Sequence, residues 1–343
     1  MCYCVAPLTY RGQEHFIVAS EKEFACLLFD IQGNQVDKIW DGPGGTMSAV
    51  QLPGSDGVFL ATHKFYSPNN AAEAKIVLVW PENGKWCVRT LLELPYVHRF
   101  DILTRDGVNY LVACCLKSGG EYKDDWRFPG KTYVCRLPED LAAGHGNTPL
   151  KPIELLDNMP KNHGYCRDVC NGVMSGIIAC ETGIFRITPP SMGGCQWEIE
   201  KLIDDPTSDA VLIDLDGCGT PELVTIGPFH GDTLSIYKYS NGNYKKQWQY
   251  DKEVPFAHAL CGASICRQNV AILGHRKGSR DLLMVRWEDG AYQTETIDHD
   301  TGAANVLYRA VDGRDVVIAA NREINEVAYY TFEEDTVCPN TIS

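Results

Sequence analysis

Seven times along the chain a short apolar burst ends in small or polar residues before the next apolar stretch begins. The bursts are Phe16–Ala19, Val58–Ala61, Tyr110–Ala113, Gly176–Ala179, Glu222–Thr225, Val270–Leu273 and Val316–Ala319. Measured from Ile17, Phe59, Leu111, Ile177, Leu223, Ala271 and Val317, they are spaced by 42, 52, 66, 46, 48 and 46 residues. A repeat of about 40–50 residues, each unit offering three or four short strands, predicts an all-β, seven-bladed β-propeller. The repeat runs from end to end, so residues 1–343 are read as a single domain.

The units divide as Tyr3–Trp40, Gly42–Leu94, Pro95–Asn158, Pro160–Asp205, Pro206–Val254, Pro255–Ile297 and Asp298–Phe332. Turn signals separate the strands within them: Gly33-Asn34, Asp56-Gly57, Asn83-Gly84, Asp106-Gly107, Asn241-Gly242, Asp289-Gly290 and Asp312-Gly313. Trp86, Trp197, Trp248 and Tyr292 mark outer strands, and Glu139–Ala143 is read as one short helical turn inside an insertion. The first strand of the first blade is short, so the two termini are expected to share a blade. The polar tail after Phe332 is expected to fray.

Composition changes this picture little. Apolar residues make up 44% and charged ones 22% of the chain, as in ordinary globular proteins. No apolar run has the length of a membrane helix. Met1–Val5 lacks the basic and apolar parts of a signal peptide, which predicts a cytoplasmic location. The 15 cysteines are scattered without a CxxC pair and are read as small buried apolar residues rather than disulfides or a zinc site. A net charge of −14 with no basic cluster argues against nucleic acid as a partner. Oligomeric state leaves no signature.

The chemistry lies at the blade starts. A propeller blade begins with its innermost strand at one face of the ring, and its second strand returns to that face. Pro95-Tyr96-Val97-His98, Pro160-Lys161-Asn162-His163 and Pro255-Phe256-Ala257-His258 repeat a Pro-x-x-His pattern, and Pro206-Thr207-Ser208-Asp209 places an aspartate at the matching position. The second strands end in Thr62-His63-Lys64, Phe229-His230-Gly231, Gly274-His275-Arg276 and Asn321-Arg322. Six of nine histidines therefore map to one face near the axis. Clustered imidazoles stay neutral, and neutral imidazole ligates divalent transition metals. The expected centre is a divalent ion (Zn, Mn or Mg) held by His98, His163 and His258, with Asp209 or His230 assisting. A metal-free alternative makes the histidines proton donors and acceptors around a sugar.

Around this pocket, Arg99 and Arg167 follow two of the histidines, with Asp101 and Asp168 as hydrogen-bonding supports or as structural partners of the arginines. The loop Lys117–Gly130 reads as a lid whose Trp126 stacks on a sugar, and Phe65 and Tyr66 as an aromatic wall. The segment Asp214-Leu215-Asp216-Gly217-Cys218-Gly219-Thr220-Pro221-Glu222-Leu223 resembles the calcium loop of integrin-type FG-GAP or VCBS repeats. With Cys218 and Thr220 at ligand positions, it is read as a degenerate turn between strands one and two, facing away from the pocket.

This loop, His98-Arg99-Phe100-Asp101, His63-Lys64-Phe65-Tyr66 and Asp124-Asp125-Trp126 together resemble the propeller dehydratase domain of aldos-2-ulose dehydratase and related bacterial propellers. The resemblance implies a metal-dependent carbon–oxygen lyase that removes water, or a glycosidic oxygen, from a keto-sugar. Here His63 or His230 would be the base and Tyr165 or His275 the acid. A uronic-acid lyase, its substrate carboxylate held by Arg99, Arg167 or Arg276, and a non-catalytic sugar- or protein-binding propeller are the alternatives.

Overall fold

Continuous apolar bursts, rather than alternating ones, are what a strand needs when both of its faces are covered. The computed structural model, which describes residues 1–333 and the backbone of 336–342, shows why both are. Seven four-stranded antiparallel sheets follow one another along the chain, each built in simple meander order. Their first strands start at Cys2, Ala49, Val97, Gly164, Asp209, Ala257 and Ala303, close to the predicted blade limits. Every burst lies in the second strand of its sheet, apart from Val58, which immediately precedes one. In the first blade, Ile17 and Ala19 pack toward blade two with Phe59 and Ala61, whereas Phe16 and Val18 pack toward blade seven with Val316 and Ile318. One apolar cluster of this kind fills each of the seven blade-to-blade interfaces. Burial of each Val, Leu or Ile contributes about 1.5–3 kcal/mol. The outer strands, such as Asn243–Gln249, are largely polar and exposed.

The hairpins close as their sequences predict. Asn83-Gly84, Asp106-Gly107, Asn241-Gly242, Asp289-Gly290 and Asp312-Gly313 all have positive φ at both positions, the requirement of a type I′ turn.

Two expectations change. Glu139–Ala143 forms hydrogen-bonded turns, and there is no helix among the described residues. The termini do not share a blade: Cys2–Trp40 is a complete sheet, and blade seven pairs its third strand with its own fourth, Thr336–Ile342. A first strand of nine residues is long enough to complete its own sheet, so no C-terminal strand is needed there. Side chains close the ring instead. Asn305 Nδ2 donates to the Tyr3 carbonyl (2.8 Å), the Cys2 amide to Asn325 Oδ1 (3.0 Å), and Arg322 pairs with Glu21. The expectation for the tail falls on this fourth strand, whose side chains lie outside the described residues, as do residues 334, 335 and 343.

Candidate functional site

The repeated proline motif is a turn that delivers a histidine. Proline presets its own φ, and the residue after it (Tyr96, Lys161 or Phe256) lies in the left-handed region at φ 61, 50 and 58°. In blade three this is a type II turn, closed by the Val97 amide on the Leu94 carbonyl at 3.2 Å. The histidine then stands at the very start of strand one, at the register irregularity between Val97 and Arg99 in blade three and between Ala257 and Ala259 in blade six. A bulge of this kind re-aims a side chain. The corresponding residues elsewhere are Tyr3, Ser48, His163, Ser208 and Ala304.

These positions are linked from blade to blade. Ser48 Oγ donates to the His98 carbonyl (3.2 Å), His98 Nδ1 to that of His163 (3.3 Å), and His163 Nδ1 to that of Ser208 (3.0 Å). His258 Nδ1 donates to the Ala304 carbonyl at 2.9 Å. Each of the three Nδ1 atoms therefore carries a proton, and each Nε2 keeps its lone pair. His258 Nε2 accepts the Tyr3 hydroxyl (3.0 Å), while His163 Nε2 is buried without a partner.

His230 joins from the side. Its loop folds over Gly231, where a Cβ would stand 2.4 Å from the Gly227 carbonyl, and the Ser208 hydroxyl accepts the His230 amide at 3.2 Å. The ring is sandwiched between Phe229 and Phe256, with centroids 3.9 and 4.3 Å away. It lies 5.0 Å from the His163 ring and 5.4 Å from His258, and His98 lies 4.5 Å from His163. Ligand nitrogens of His163, His230 and His258 lie within 4.8 Å of one another. Phe65 seals His98 at 4.9 Å, and Trp126 covers Phe229 at 5.3 Å. Around this lid Arg276 stacks on Phe256 and pairs with Glu323, and Lys161 lies over Trp126 and Phe229.

Burial is the main reason that all four imidazoles are neutral. It lowers His163 to about 3 and His230 to about 2 and holds His98 and His258 well below the usual histidine range, with Arg99 and Arg276 adding repulsion.

Several predicted residues lie elsewhere. His63 packs on Trp40 (4.7 Å) between the first two blades, with its Nε2 buried and unpartnered. His275 organises its own loop, donating Nδ1–H to the Lys277 carbonyl and accepting the Asp281 amide on Nε2 (2.8 and 3.1 Å). So four histidines converge rather than six: His63 and His275 are the last residues of their second strands, whereas His230 lies three residues beyond its strand in a loop that folds inward. Asp209 is one position too far along its strand. The β-branched Thr207 does not enter the left-handed region, the turn is one residue shorter, and Ser208 takes the histidine's place. The Asp209 carboxyl lies one step deeper in the channel, where burial raises it to about 7.

Arg99 shares that second layer, and Tyr165 and Arg167 lie further along, Arg167 held on Asp101 by two hydrogen bonds. Asp168 pairs with Arg186 (3.5 Å). Tyr66 lines a separate hollow with Lys22, Glu23 and Phe24. The Asp214–Glu222 loop is the expected turn between strands one and two, but the Lys238 ammonium sits on Asp216 and 3.7 Å from Glu222, where a cation would lie. Tyr3, Phe229 and Phe256 escaped the sequence reading. The aromatics adjoining His230 and His258 were its available signal, whereas Tyr3 has no preceding turn to mark it.

No family model matches the chain, and no curated protein matches its sequence. Solved propellers share its fold. The periplasmic gluconolactonase of Pseudomonas aeruginosa has a TM-score of 0.64 at 11% identity, covering 100% of this chain and 96% of its own. A candidate 6-phosphogluconolactonase from Bacteroides fragilis scores 0.60 at 13%, covering 100% and 94%. The Cps50 (Swd1) propeller domain of Myceliophteria thermophila scores 0.61 at 10%, covering 97% of each chain.

Proposed function

We propose that the axial imidazole cluster is a divalent-metal centre and that the chain acts there on a small carbohydrate, as a carbon–oxygen lyase eliminating water or a glycosidic oxygen from a keto-sugar. The observation that carries the reading is His163 Nε2: a buried lone pair without a partner, its tautomer set by the Ser208 carbonyl, aimed among two further imidazoles. His163, His230 and, once the Tyr3 hydroxyl releases its Nε2, His258 would hold the ion. Zn–N bonds of about 2.1 Å place tetrahedral ligand atoms about 3.4 Å apart, so closing the rings by roughly an ångström forms the site. An all-imidazole set suits zinc and offers magnesium no oxygen ligand.

When bound, the metal supplies Lewis acidity to a carbonyl or hydroxyl oxygen. The protein's own groups do the remainder. His98, whose Nδ1–H is committed to the His163 carbonyl, keeps its Nε2 as a neutral acceptor for a substrate proton. Tyr3 is the hydroxyl donor beside His258, and burial raises its pKa to about 12, so it stays protonated. Phe65, Phe229, Phe256 and Trp126 limit water, and Arg276 and Lys161 favour an oxygen-rich, electron-rich substrate. Hydrolysis of a sugar lactone is the second reading, supported by the likeness to a propeller described as a gluconolactonase over nearly its whole length. Both reactions start from a polarised carbonyl.

The test is metal analysis of the purified protein and of His163→Ala and His258→Ala, followed by incubation with keto-sugars and sugar lactones. The proposal expects about one zinc per chain, lost in both variants, and absorbance of an unsaturated ketone that chelator abolishes. Acid release from lactones without that absorbance would select the second reading. Absence of metal binding would overturn both as written.

A further inference from the structure

Next to the histidine layer, along the first strands, lies a cavity of about 170 Å³ whose walls include Ser48, Arg99, Tyr165, Arg167 and Asn305. Arg99 is its central cation. Nη1 donates to the Met47 carbonyl (3.3 Å) and to Asn305 Oδ1 (3.1 Å), both neutral acceptors. Nε is buried and has no partner. Among the described residues no carboxylate lies within ion-pair distance of this guanidinium, although every other arginine near the channel has one: Arg167 on Asp101, Arg276 on Glu323, and Arg322 on Glu21 and Glu323. Asp101 is fully engaged, since both of its oxygens accept from Arg167.

Tyr165 borders the cavity with its ring, while its hydroxyl is packed away inside the blade. The Tyr165 hydroxyl is buried without a partner, and its ring is locked against Gly176, where a Cβ would stand 2.8 Å from the ring and from the hydroxyl oxygen. Asn305 cannot turn its oxygen away from Arg99, because its Nδ2 holds the Tyr3 carbonyl of blade one. The guanidinium is therefore fixed before any ligand arrives.

A partly buried guanidinium with no carboxylate at ion-pair distance, Asp209 acting on it only from further away, can take an anion on its remaining N–H groups. The fork of Arg matches a planar carboxylate in two parallel hydrogen bonds, which are stronger than neutral ones. We propose that this cavity is a binding site for a small organic carboxylate, a sugar acid being the size that fits, with Arg99 taking the carboxylate. The site is separate from the imidazole centre and does not depend on metal there.

The experiment is isothermal titration of the full chain in chelator with gluconate, glucose and inorganic phosphate as probes. Saturable gluconate binding is expected, with no heat from glucose. Arg99→Gln should weaken gluconate by about tenfold or more, the scale of a lost charged hydrogen-bond pair. Tyr165→Phe, which removes only an unpartnered hydroxyl packed away from the cavity, should leave gluconate affinity unchanged with no loss of thermal stability. A folded Arg99→Gln protein that binds gluconate as wild type does, glucose binding equal to gluconate, or no gluconate binding at all would each overturn the assignment. Phosphate binding tighter than gluconate would overturn the carboxylate class. Because chelator is present throughout, failure here leaves the metal proposal standing, and loss of metal binding leaves this one standing.

Discussion

The buried imidazoles make a quantitative demand on stability below neutral pH. Five histidines (His63, His98, His163, His230 and His258) have native pKa values pushed below their ordinary 6.5, chiefly by burial. A basic group with a depressed native pKa takes up its proton in the unfolded chain first. Its contribution is present above pH 6.5 and is lost as pH falls from there toward the native value. Between pH 7.5 and 5.5 each such group costs about 1.4 kcal/mol, so five cost about 7 kcal/mol. Asp209 works the other way. Its native pKa is raised from 3.8 to about 7, so its contribution is present at low pH and lost as pH rises toward 7; over the same interval acidification returns about 2 kcal/mol. The net loss of about 5 kcal/mol is a large part of a typical domain's stability. Urea denaturation of the metal-free protein in chelator at several pH values measures it. His163→Gln should lose about 1.4 kcal/mol less than wild type over this range. Wild-type and variant stabilities that run parallel from pH 7.5 to 5.5 would refute the reasoning.

Three further outcomes test the remaining structure. Lys238→Ala leaves the carboxylates of Asp216 and Glu222 facing each other, so the melting temperature should fall, by the equivalent of about 2 kcal/mol, and millimolar calcium should restore part of it; a calcium-insensitive variant of wild-type stability would contradict the role given to the ammonium. Phe65→Ala should cost about 3–4 kcal/mol by urea unfolding, since this fully buried ring is the wall behind His98. Asn305→Ala breaks the clip from blade seven to Tyr3 and should cost about 1–3 kcal/mol, with faster exchange of the first-strand amides of blade one in hydrogen-exchange measurements.

The blades could be read from the chain because a doubly covered strand must be apolar at every position, and that signal needs no partner to be known. The Pro-x-x-His turns were legible for a similar reason: proline and a left-handed successor are local requirements. Blade five shows the limit. Pro206 suggested the same turn, but whether Thr207 accepts positive φ decides the register, and one residue decides which side chain faces the axis. His63 and His275 sit at strand ends like His230, yet only the loop of His230 folds inward. That outcome depends on Gly227, Gly231 and Ser208 acting together around one loop of blade five. The unpaired state of Arg99 is a property of everything around it, and no spacing in the sequence encodes it.

Every sheet is made from one uninterrupted stretch of chain, and the seam between the last and first blades is sealed by side chains and an apolar cluster as at the other interfaces. The position of the chain's beginning is therefore mechanically arbitrary. Joining the ends by a linker and opening any of the six connections between blades should give circular permutants with the same ring.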